Sequence, residues 1–512
     1  MKNNGRRRVI IEREITRDNV VQTLMEGLAI HNENREDIEE LINIYKGKQK
    51  ILERTNDEAG YSNVNNKVEI NYAYSSVRDI VGYTFGKPTQ YTATSNKYRR
   101  DVEEINRILS YEGNSLADHE AETYASICGV GYLCILPSEE LLSDYMPDIP
   151  LIDRSLDPMT TFCIQSARIG NPTIMTVTYY TDGEETYFSC FTDKKIYYIV
   201  THGNLSLTIG NDIRVKEVEN IIGLNPITMV QNNGFLMGDF EVAVSIFDAI
   251  NQLASDTLND VENVIKSLLI VINAEMTDDT VAQVKKNRIL ELIGAEGKEV
   301  DAKFIYQQLD ALGMQNIREY LEEAYKQVIG IPDRKTRGGG GGDTGDAVKL
   351  RDGWADIEIV ARIKEQYFKF AKNRQLAVAI EILKKLNLIG KNFMLKYIDI
   401  KVPRNTQDNL QTKAQAYSTL NGTKTLHPAD SLDMVGITTD IDAKVDRGIK
   451  FWREQAEIEK SINADGNNIN SSSNIKIGQE QKNQYNTDIT ETKVTKDNIK
   501  EEQQKDKRER IY

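Results

Sequence analysis

The sequence contains few of the residues from which metal centres and hydrolytic active sites are usually built. Among 512 residues there are only four cysteines and four histidines. The cysteines are Cys128, Cys134, Cys163 and Cys190. They form no C-x-x-C pair and several lie in apolar, strand-like runs, so we expect reduced core thiols rather than zinc ligands or disulfides. The histidines, His31, His119, His202 and His427, show no spacing typical of a metal site or a catalytic triad.

Long apolar runs are also missing. No stretch approaches the roughly eighteen apolar residues of a membrane-spanning helix. The N-terminal region carries Arg6, Arg7 and Arg8 but lacks the apolar segment of a signal peptide. We therefore expect an intracellular protein that neither crosses a membrane nor is secreted. Hydrophobic residues still make up 40% of the chain, which is enough for real cores, and the length predicts about two to four domains.

Cations are outnumbered, with 64 Lys and Arg against 78 Asp and Glu, which gives a net charge of -14. This balance argues against tight, static binding of nucleic acid, because neutralising phosphates requires clustered cations. It does not exclude DNA that slides, since a surface with few cations holds DNA loosely. Charge that simply keeps the protein soluble is the plainer explanation.

The chain is organised around a run of five consecutive glycines. These are Gly338, Gly339, Gly340, Gly341 and Gly342, and the cations Arg334, Lys335 and Arg337 come just before them. Apolar residues then recur every three or four positions from Asp343 or Thr344 to Leu386, which predicts one helix of about forty residues and roughly 60 Å. Glycines lose the most entropy on ordering, so five of them predict a mobile functional loop that leads into a rod.

Gly340, Gly342 and Gly345 also match the G-x-G-x-x-G spacing of dinucleotide-binding folds. That motif needs a buried strand before the glycines. Residues Ile317–Val328 instead have the periodicity of a helix, and no G-K-[ST] sequence follows to make a P-loop. A poly-glycine run fits such a pattern by chance, so we predict no nucleotide site and no cofactor.

The N-terminal half predicts helices followed by a sheet. Residues 1–18 resemble a basic, poorly ordered arm. Predicted helices are Asn19–Ile30, Arg35–Tyr45, Ala73–Tyr83, Tyr98–Leu109 and Leu116–Ile127, followed by a buried strand over 129–136. The period then changes to two, with strands Ile174–Tyr180, Tyr187–Phe191, Lys195–Val200 and Leu205–Ile209. Breaks at Asp182-Gly183, Asp193-Lys194 and Gly203-Asn204 predict tight hairpins.

A helix predicted from Asp239 to Lys266 has one apolar and one acidic side. The apolar side includes Phe247, Leu258 and Val261. The other side carries Asp248, Asp256, Asp260 and Glu262, interspersed with Asn251, Asn259 and Asn263. A solvated face is the default explanation for such a pattern.

A small α/β insertion follows, with strands over Leu268–Ala274, Arg288–Ile293 and Lys303–Gln308 and a helix over Thr277–Lys286. A second helix is predicted over Met314–Val328. This helix pair carries the small α/β insertion at its tip and cannot bury its apolar surface along its whole length within one subunit. We therefore expect neighbouring copies of the chain to cover it. Beyond Leu386 we predict a strand over Lys391–Ile400, helices over Asp408–Ser418 and Asp442–Glu459, and a disordered tail over 461–512.

This order of segments resembles the portal proteins of bacteriophages, in particular those of siphophages and prophages of Gram-positive bacteria. The resemblance covers roughly residues 30–460. It is carried by Asn71–Tyr83 with Phe85-Gly86-Lys87-Pro88, by the helix Phe247–Ile265, and by Gly330-Ile331-Pro332 with the glycine run and Asp346-Ala347. The match lies in the order and spacing of these stretches.

The resemblance implies an α+β portal-type subunit with a mixed α/β wing, a two-helix stem, a small α/β clip, a long wing-spanning helix and an α-helical crown. The implied divisions are arm 1–18, wing 19–238, first stem helix 239–266, clip 267–310, second stem helix 311–330, tunnel loop 331–346, long helix 347–386, crown 387–460 and tail 461–512. The unusually glycine-rich loop departs from the family pattern.

The resemblance further implies a dodecameric ring at one capsid vertex of the virion, assembled in the host cytoplasm, which conducts double-stranded DNA during packaging and ejection. It implies no enzymatic activity of its own. Implied partners are the terminase large subunit, head-completion and tail proteins, and the major capsid and scaffolding proteins. In such a ring Asp248, Asp256, Asp260 and Glu262 would form an acidic channel lining. Arg334, Lys335, Arg337 and the five glycines would form a loop that touches the DNA backbone transiently.

Two other hypotheses compete with this interpretation. A nucleotide-dependent enzyme would use the Gly340-Gly342-Gly345 pattern, but the strand before it is missing. A self-assembling structural adaptor without a DNA channel would share the oligomeric architecture. A ring with a central hole distinguishes the portal from this adaptor.

Overall fold

The computed structural model describes residues 5–55, 64–110, 112–138, 150–202, 213–265, 268–272, 301–305, 311–332, 354–405, 410–422, 426–436 and 441–466. Helices and sheets are both extensive, so the fold is α+β as expected. The chain divides into two compact units, Met1–Asn409 and Leu410–Tyr512. None of the described helices combines the length and apolar character that a membrane crossing needs.

A six-stranded sheet forms the first layer of the larger unit. Its strands are β1 (Val9–Ile10), β5 (Thr161–Gln165), β6 (Thr173–Asp182), β7 (Glu185–Phe191), β8 (Lys195–His202) and β9 (Arg214–Glu219), in that order across the sheet. All neighbours are antiparallel except β1 and β5. Helix α1 (Val20–Tyr45) covers one face, where Leu24 and Leu28 join Phe162 and Ile164 in a buried cluster. Because successive side chains of a strand lie on opposite faces of the sheet, the apolar residues at every second position form this buried face.

The hairpin turns of this sheet confirm two of the three predicted breaks. Asp182 pairs with Glu185 across a two-residue turn, in which Gly183 has a φ of +59°. The twist of a two-residue hairpin requires such a left-handed conformation, which glycine adopts without a steric penalty. Thr192 and Lys195 flank the second turn at Asp193-Lys194. The predicted strand Leu205–Ile209 and the turn Gly203-Asn204 lie outside the described residues.

Two predictions for the N-terminal region are wrong. The segment 5–18 is not a poorly ordered arm: Val9 and Ile10 pair with Ile164 and Gln165, and Arg6 is buried. The two helices predicted on either side of residue 31 are one continuous helix, α1. Tertiary packing overrides the weak helix propensity of Asn32 and Asn34, because buried His31 stacks on Phe162 with ring centroids 4.6 Å apart.

The second layer contains a three-stranded sheet. Its strands, in order across the sheet, are β10 (Ile227–Gln231), β3 (Val130–Pro137) and β4 (Leu151–Leu156). Helices α2 (Tyr72–Phe85), α3 (Arg99–Leu109) and α4 (Glu112–Cys128) contribute to the largest core. A short antiparallel pair, β2 (Gln90–Ala93) with β13 (Ile398–Lys401), lies beside them. All four cysteines are buried free thiols, as expected. Burial raises the pKa of Cys128, Cys134 and Cys163 to about 12.

The described part of the larger unit contains three further helices. Helix α5 (Val244–Ile265) and helix α6 (Ala311–Ile329) are joined through an antiparallel pair, β11 (Leu268–Ile272) with β12 (Asp301–Ile305). Helix α7 (Trp354–Lys385) has 32 residues, about 48 Å at 1.5 Å per residue. Its predicted first turns, residues 343–353, lie outside the described residues, as do the helix and middle strand predicted for the insertion.

The smaller unit contains α8 (Leu410–Gly422), α9 (Pro428–Val435) and α10 (Ile441–Gly466). The first and last match the predicted helices. Pro428 begins α9, because proline's fixed φ and missing N–H suit a first helical turn. Helix α10 continues to Gly466, beyond the predicted start of the tail at residue 461. Residues 467–512 lie outside the described residues.

Candidate functional site

Helices α5 and α6 pack against each other through aromatic side chains. The rings of Phe247 and Tyr325 meet edge to face, with centroids 5.5 Å apart. Tyr72 of α2 lies 4.6 Å from Tyr325, and its hydroxyl donates a 2.9 Å hydrogen bond to Glu322 Oε1. Burial and this hydrogen bond raise the pKa of Tyr72 to about 12, so the hydroxyl keeps the proton it donates. The helix pair is thus fixed to α2.

A row of hydrogen bonds, here called the polar ladder, holds the preceding chain segment on α5. Asn251 Oδ1 accepts from the amide of Ile70 at 2.9 Å. Ser255 Oγ accepts from the amide of Val68 at 2.9 Å, and Asn259 Oδ1 accepts from the amide of Asn66 at 2.7 Å. All three helix side chains are 0% exposed.

The polar ladder depends on two repeats of nearly equal length. Four residues advance an α-helix by about 6.0 Å, and two residues advance an extended chain by about 6.6 Å. Side chains at positions 251, 255 and 259 therefore come into register with every second amide of residues 66–70. The sequence predicts a solvated face for Asn251 and Asn259, but both are buried. The backbone amides that pack beside α5 need hydrogen-bond acceptors, and these side chains supply them.

The predicted acidic residues lie beside this same segment. Asp256 Oδ1 pairs with Arg54 at 2.7 Å, and Asp248 Oδ2 lies 3.8 Å from Lys50. Glu262 accepts a 2.8 Å hydrogen bond from the side-chain amide of Asn66, and Asp260 is half-buried. The structure therefore brings three of the four carboxylates to Lys50, Arg54 and Asn66 of the same chain. Leu258 and Val261, predicted for the apolar side, are exposed.

The predicted loop residues Arg334, Lys335, Arg337 and Gly338–Gly342 lie outside the described residues. The described chain reaches the start of this region through α6, which confirms a helix rather than a strand before the glycines. The dinucleotide-binding hypothesis therefore lacks the strand that it requires. Gly330 has a φ of +78° and ends the helix, and Ile331 is buried after it.

Helix α7 is anchored in the core by a buried lysine. Lys372 Nζ lies 2.6 Å from Asp118 Oδ1 and 3.4 Å from Asp153 Oδ2. Thr89 donates to the second oxygen of Asp118 at 2.8 Å, and Gln375 donates to Asp153 at 2.6 Å. Burial alone lowers the pKa of Lys372, but Asp118 and its neighbours raise it overall, so the ammonium stays charged. The helix therefore has one fixed register against α4 and β4.

A second buried lysine lies two turns earlier. Lys364 Nζ is 2.9 Å from Asp239 Oδ2 and also donates to Asn232. Near it, Glu122 of α4 is 1% exposed, and its Oε1 has no hydrogen-bond partner. Burial raises the pKa of Glu122 to about 8, with Lys364 acting in the opposite direction. At neutral pH this carboxyl is mainly protonated.

We expect Glu122 to make stability depend on pH. The pKa of Glu122 is higher in the folded protein than in the unfolded chain. The stability that this group contributes is therefore fully present below about pH 4.5 and is lost as pH rises through about 8. The free energy of unfolding of Glu122→Gln, relative to that of the wild type, should therefore rise by on the order of a few kcal/mol between about pH 5 and about pH 9. Chemical denaturation at several pH values measures this. Glu120→Gln, exposed on the same helix, is the matched control. Parallel profiles for Glu122→Gln and wild type would contradict the prediction.

Sequence reasoning missed the polar ladder and the buried lysines. Asn251, Ser255 and Asn259 recur every four residues. This spacing places them on one face of a helix, but it does not show whether that face is buried. Lys364 and Lys372 each have a polar neighbour, Glu365 and Asn373, and lysines are common on solvated faces, so nothing in the sequence marks them as buried. Among the described residues, no group of three or more His, Cys, Asp or Glu side chains could hold a metal ion.

Comparison with known proteins gives one family. The family model described as "Phage portal protein, SPP1 Gp6-like" matches residues 27–465. Among solved structures, the chain is similar to one titled "Neck of empty GTA particle computed with C6 symmetry", with a TM-score of 0.41 and 12% identity. That similarity covers 71% of this chain and 89% of the other. No curated protein matches the sequence.

Proposed function

The chain belongs to the SPP1 Gp6-like family of phage portal proteins, and we propose that twelve copies form a ring that conducts double-stranded DNA into and out of the capsid. Membership of the family places the protein among structural components that form homo-oligomeric rings at a capsid vertex of the virion. In this proposal the ring docks the terminase large subunit during packaging, and head-completion and tail proteins afterwards. It also contacts the major capsid and scaffolding proteins, after assembly in the host cytoplasm.

The observation that carries the proposal is the family match over residues 27–465, which includes the complete helix pair and the glycine run. We assign residues 1–18 to an arm, 19–238 to a wing, 239–266 and 311–330, which contain α5 and α6, to a stem, and 267–310 to a clip. Residues 331–346 are assigned to a tunnel loop, 347–386 to the long helix, 387–460 to a crown and 461–512 to a tail. The arrangement of α5, β11, β12 and α6 supports the stem and clip, since a two-stranded sheet joins the two helices.

Exposed apolar side chains on the helix pair support assembly into a ring. On α5 these are Leu258 and Val261, and on α6 they are Leu312, Ile317, Tyr320 and Val328. Burying such side chains against neighbouring copies stabilises an oligomer by about 25 cal/mol for each Å² removed from water. A single subunit leaves them in solvent, as expected for a helix pair that needs neighbours.

We further propose that Asp248, Asp256, Asp260 and Glu262 give the channel wall an acidic strip. Lys50 and Arg54 lie beside two of these carboxylates, so the strip is only partly negative. A wall of this kind holds no phosphate tightly, and transport requires weak contacts. Arg334, Lys335 and Arg337 would supply transient backbone contacts from the loop, without reading bases.

Shortening the loop tests the proposal. Deletion of Gly339–Gly341 should leave ring formation unchanged, because it retains the exposed apolar side chains of α5 and α6 that we propose meet neighbouring copies. It should strongly reduce packaged DNA, because a shorter loop would bring its cations less readily to the moving duplex. Electron microscopy measures rings, and nuclease-protected DNA measures packaging. A variant with Gly339→Ser and Gly341→Ser keeps the loop length and is the matched control.

Three outcomes separate the hypotheses. Rings with a central hole and impaired packaging support a portal with an active loop. Normal packaging and DNA retention by the shortened variant would make the loop a simple linker. Rings without a hole would favour the self-assembling adaptor without a DNA channel. Purified wild-type protein that stays monomeric in every condition would contradict the portal proposal.

A further inference from the structure

Two Lys-Tyr dipeptides about three hundred positions apart meet on the surface of the larger unit. Each ends a short 3-10 turn: Lys97-Tyr98 follows β2, and Lys396-Tyr397 precedes β13. The antiparallel pairing of β2 with β13, in which Ala93 lies opposite Ile398, brings the two turns together. The amide of Thr94 also donates to the carbonyl of Tyr397 at 3.0 Å.

The two tyrosines form a rigid platform. Their rings stack with centroids 3.8 Å apart and planes inclined by 16°. Phe393, which is 1% exposed, contacts both rings from the core side, 5.9 Å from Tyr98 and 6.1 Å from Tyr397. Lys97 Nζ lies over the Tyr98 ring and Lys396 Nζ over the Tyr397 ring, each 5.2 Å from the centroid. Aromatic anchoring fixes two side chains that are usually mobile.

The platform concentrates positive charge. Both lysines are exposed, and neither forms an ion pair with a carboxylate of the described residues. The nearby Asp399 pairs with Lys401 at 3.1 Å, and Asp101 accepts from the amide of Gly390. The hydrogen bond from Tyr98, followed by Lys396 and Lys97, lowers the pKa of Tyr397. Both ammonium groups therefore act on the same hydroxyl.

We infer that this Lys97-Tyr98-Lys396-Tyr397 platform binds the phosphate backbone of double-stranded DNA outside the channel. This inference rests on the proposed packaging function. Lysine ammonium and tyrosine hydroxyl groups are ordinary donors to phosphate oxygens. In a chain with a net charge of -14, two exposed lysines held over one pair of stacked rings form a local site for a polyanion. Each tyrosine ring has the other ring against one face and a lysine over it, so no free face is left on which an unpaired base would stack, and a duplex fits better than a single strand.

Covalently closed circular DNA distinguishes this surface from the channel, because a closed circle does not thread a closed ring. We expect wild-type rings to bind such a circle at about 50 mM salt, and Lys97→Gln with Lys396→Gln to weaken binding by at least about tenfold. Each phosphate contact contributes about 0.9 to the slope of log K against log salt. The double variant should therefore reduce that slope by about 1.8 for each copy that contacts the DNA.

Matched controls and competitors complete the test. Lys194→Gln with Lys216→Gln removes the same charge from exposed turn and strand positions and should leave the affinity within about twofold, because unclustered surface charges contribute little. Equal affinity of both double variants for the circle would overturn the inference. Preferred binding of polyglutamate would also overturn it, in favour of an acidic protein partner. Failure to form rings in electron microscopy would instead contradict the proposed function.

Discussion

Replacing Lys372 with methionine should lower the free energy of unfolding by about 3–5 kcal/mol, because it leaves two carboxylates buried without their cation. Asp118 is 7% exposed and Asp153 is 1% exposed, so water does not replace the lost ammonium. Methionine keeps most of the side-chain volume, so the change tests charge rather than packing. The substitution should therefore be among the most destabilising in the chain.

Thermal and denaturant unfolding of the purified protein measures this effect. Lys369→Met is the matched control, because Lys369 belongs to the same helix and pairs with Glu365 at 2.7 Å with a side chain that is 34% exposed. Helix pairs of this spacing that water still reaches contribute about 0.3–0.5 kcal/mol. Glu365 also keeps Arg404 at 2.7 Å when Lys369 is replaced, so the control should stay close to wild type. Similar losses for both variants would show that the buried charges are not what fixes α7.

A second large effect is expected from the polar ladder. Changing Asn251, Ser255 and Asn259 together to alanine removes the acceptors of three backbone amides. Each unsatisfied group costs about 1–3 kcal/mol, and the gain in helix propensity of at most about 0.7 kcal/mol per residue offsets only part of this. The free energy of unfolding should therefore fall by a few kcal/mol, and the segment 66–70 should detach from α5 before the rest of the fold opens.

Hydrogen exchange provides the specific readout for the polar ladder. The amides of Asn66, Val68 and Ile70 should exchange faster in the triple variant, while amides in the six-stranded sheet stay protected. Ser245→Ala with Gln252→Ala, two exposed positions of the same helix, is the control and should change neither property. Unchanged protection of the three amides would mean that other contacts hold the segment in place.

Much of the architecture was predictable because it depends on local periodicity. The helical repeat over α7 and the alternation along β6, β7 and β8 identified elements whose apolar faces repeat at 3.6 and 2 residues. Turn residues such as Gly183 predicted hairpins, since few other residues adopt their backbone angles. The order of these elements was sufficient to identify the family, which the match over residues 27–465 confirms.

Where propensity and tertiary contacts disagree, the sequence-based predictions are wrong. Asn32 and Asn34 favour a break that the packing of His31 on Phe162 prevents. The basic N-terminal segment looks solvated, yet Arg6 is buried because Glu241 pairs with it at 2.6 Å. Each case joins residues that are far apart in the chain, and no local pattern reports such a partner.

The sequence by itself therefore determined the family, the α+β class, and the succession of helix pair, glycine run and long helix, because these depend on patterns within short windows. Only the tertiary structure decided which polar side chains of α5 are buried, which lysines of α7 pair with Asp118, Asp153 and Asp239, and that two distant Lys-Tyr dipeptides share one platform. The physical reason is that burial and charge pairing are properties of what packs against a residue. A lysine or asparagine on a periodic helix has the same local signature whether water or a carboxylate lies opposite it.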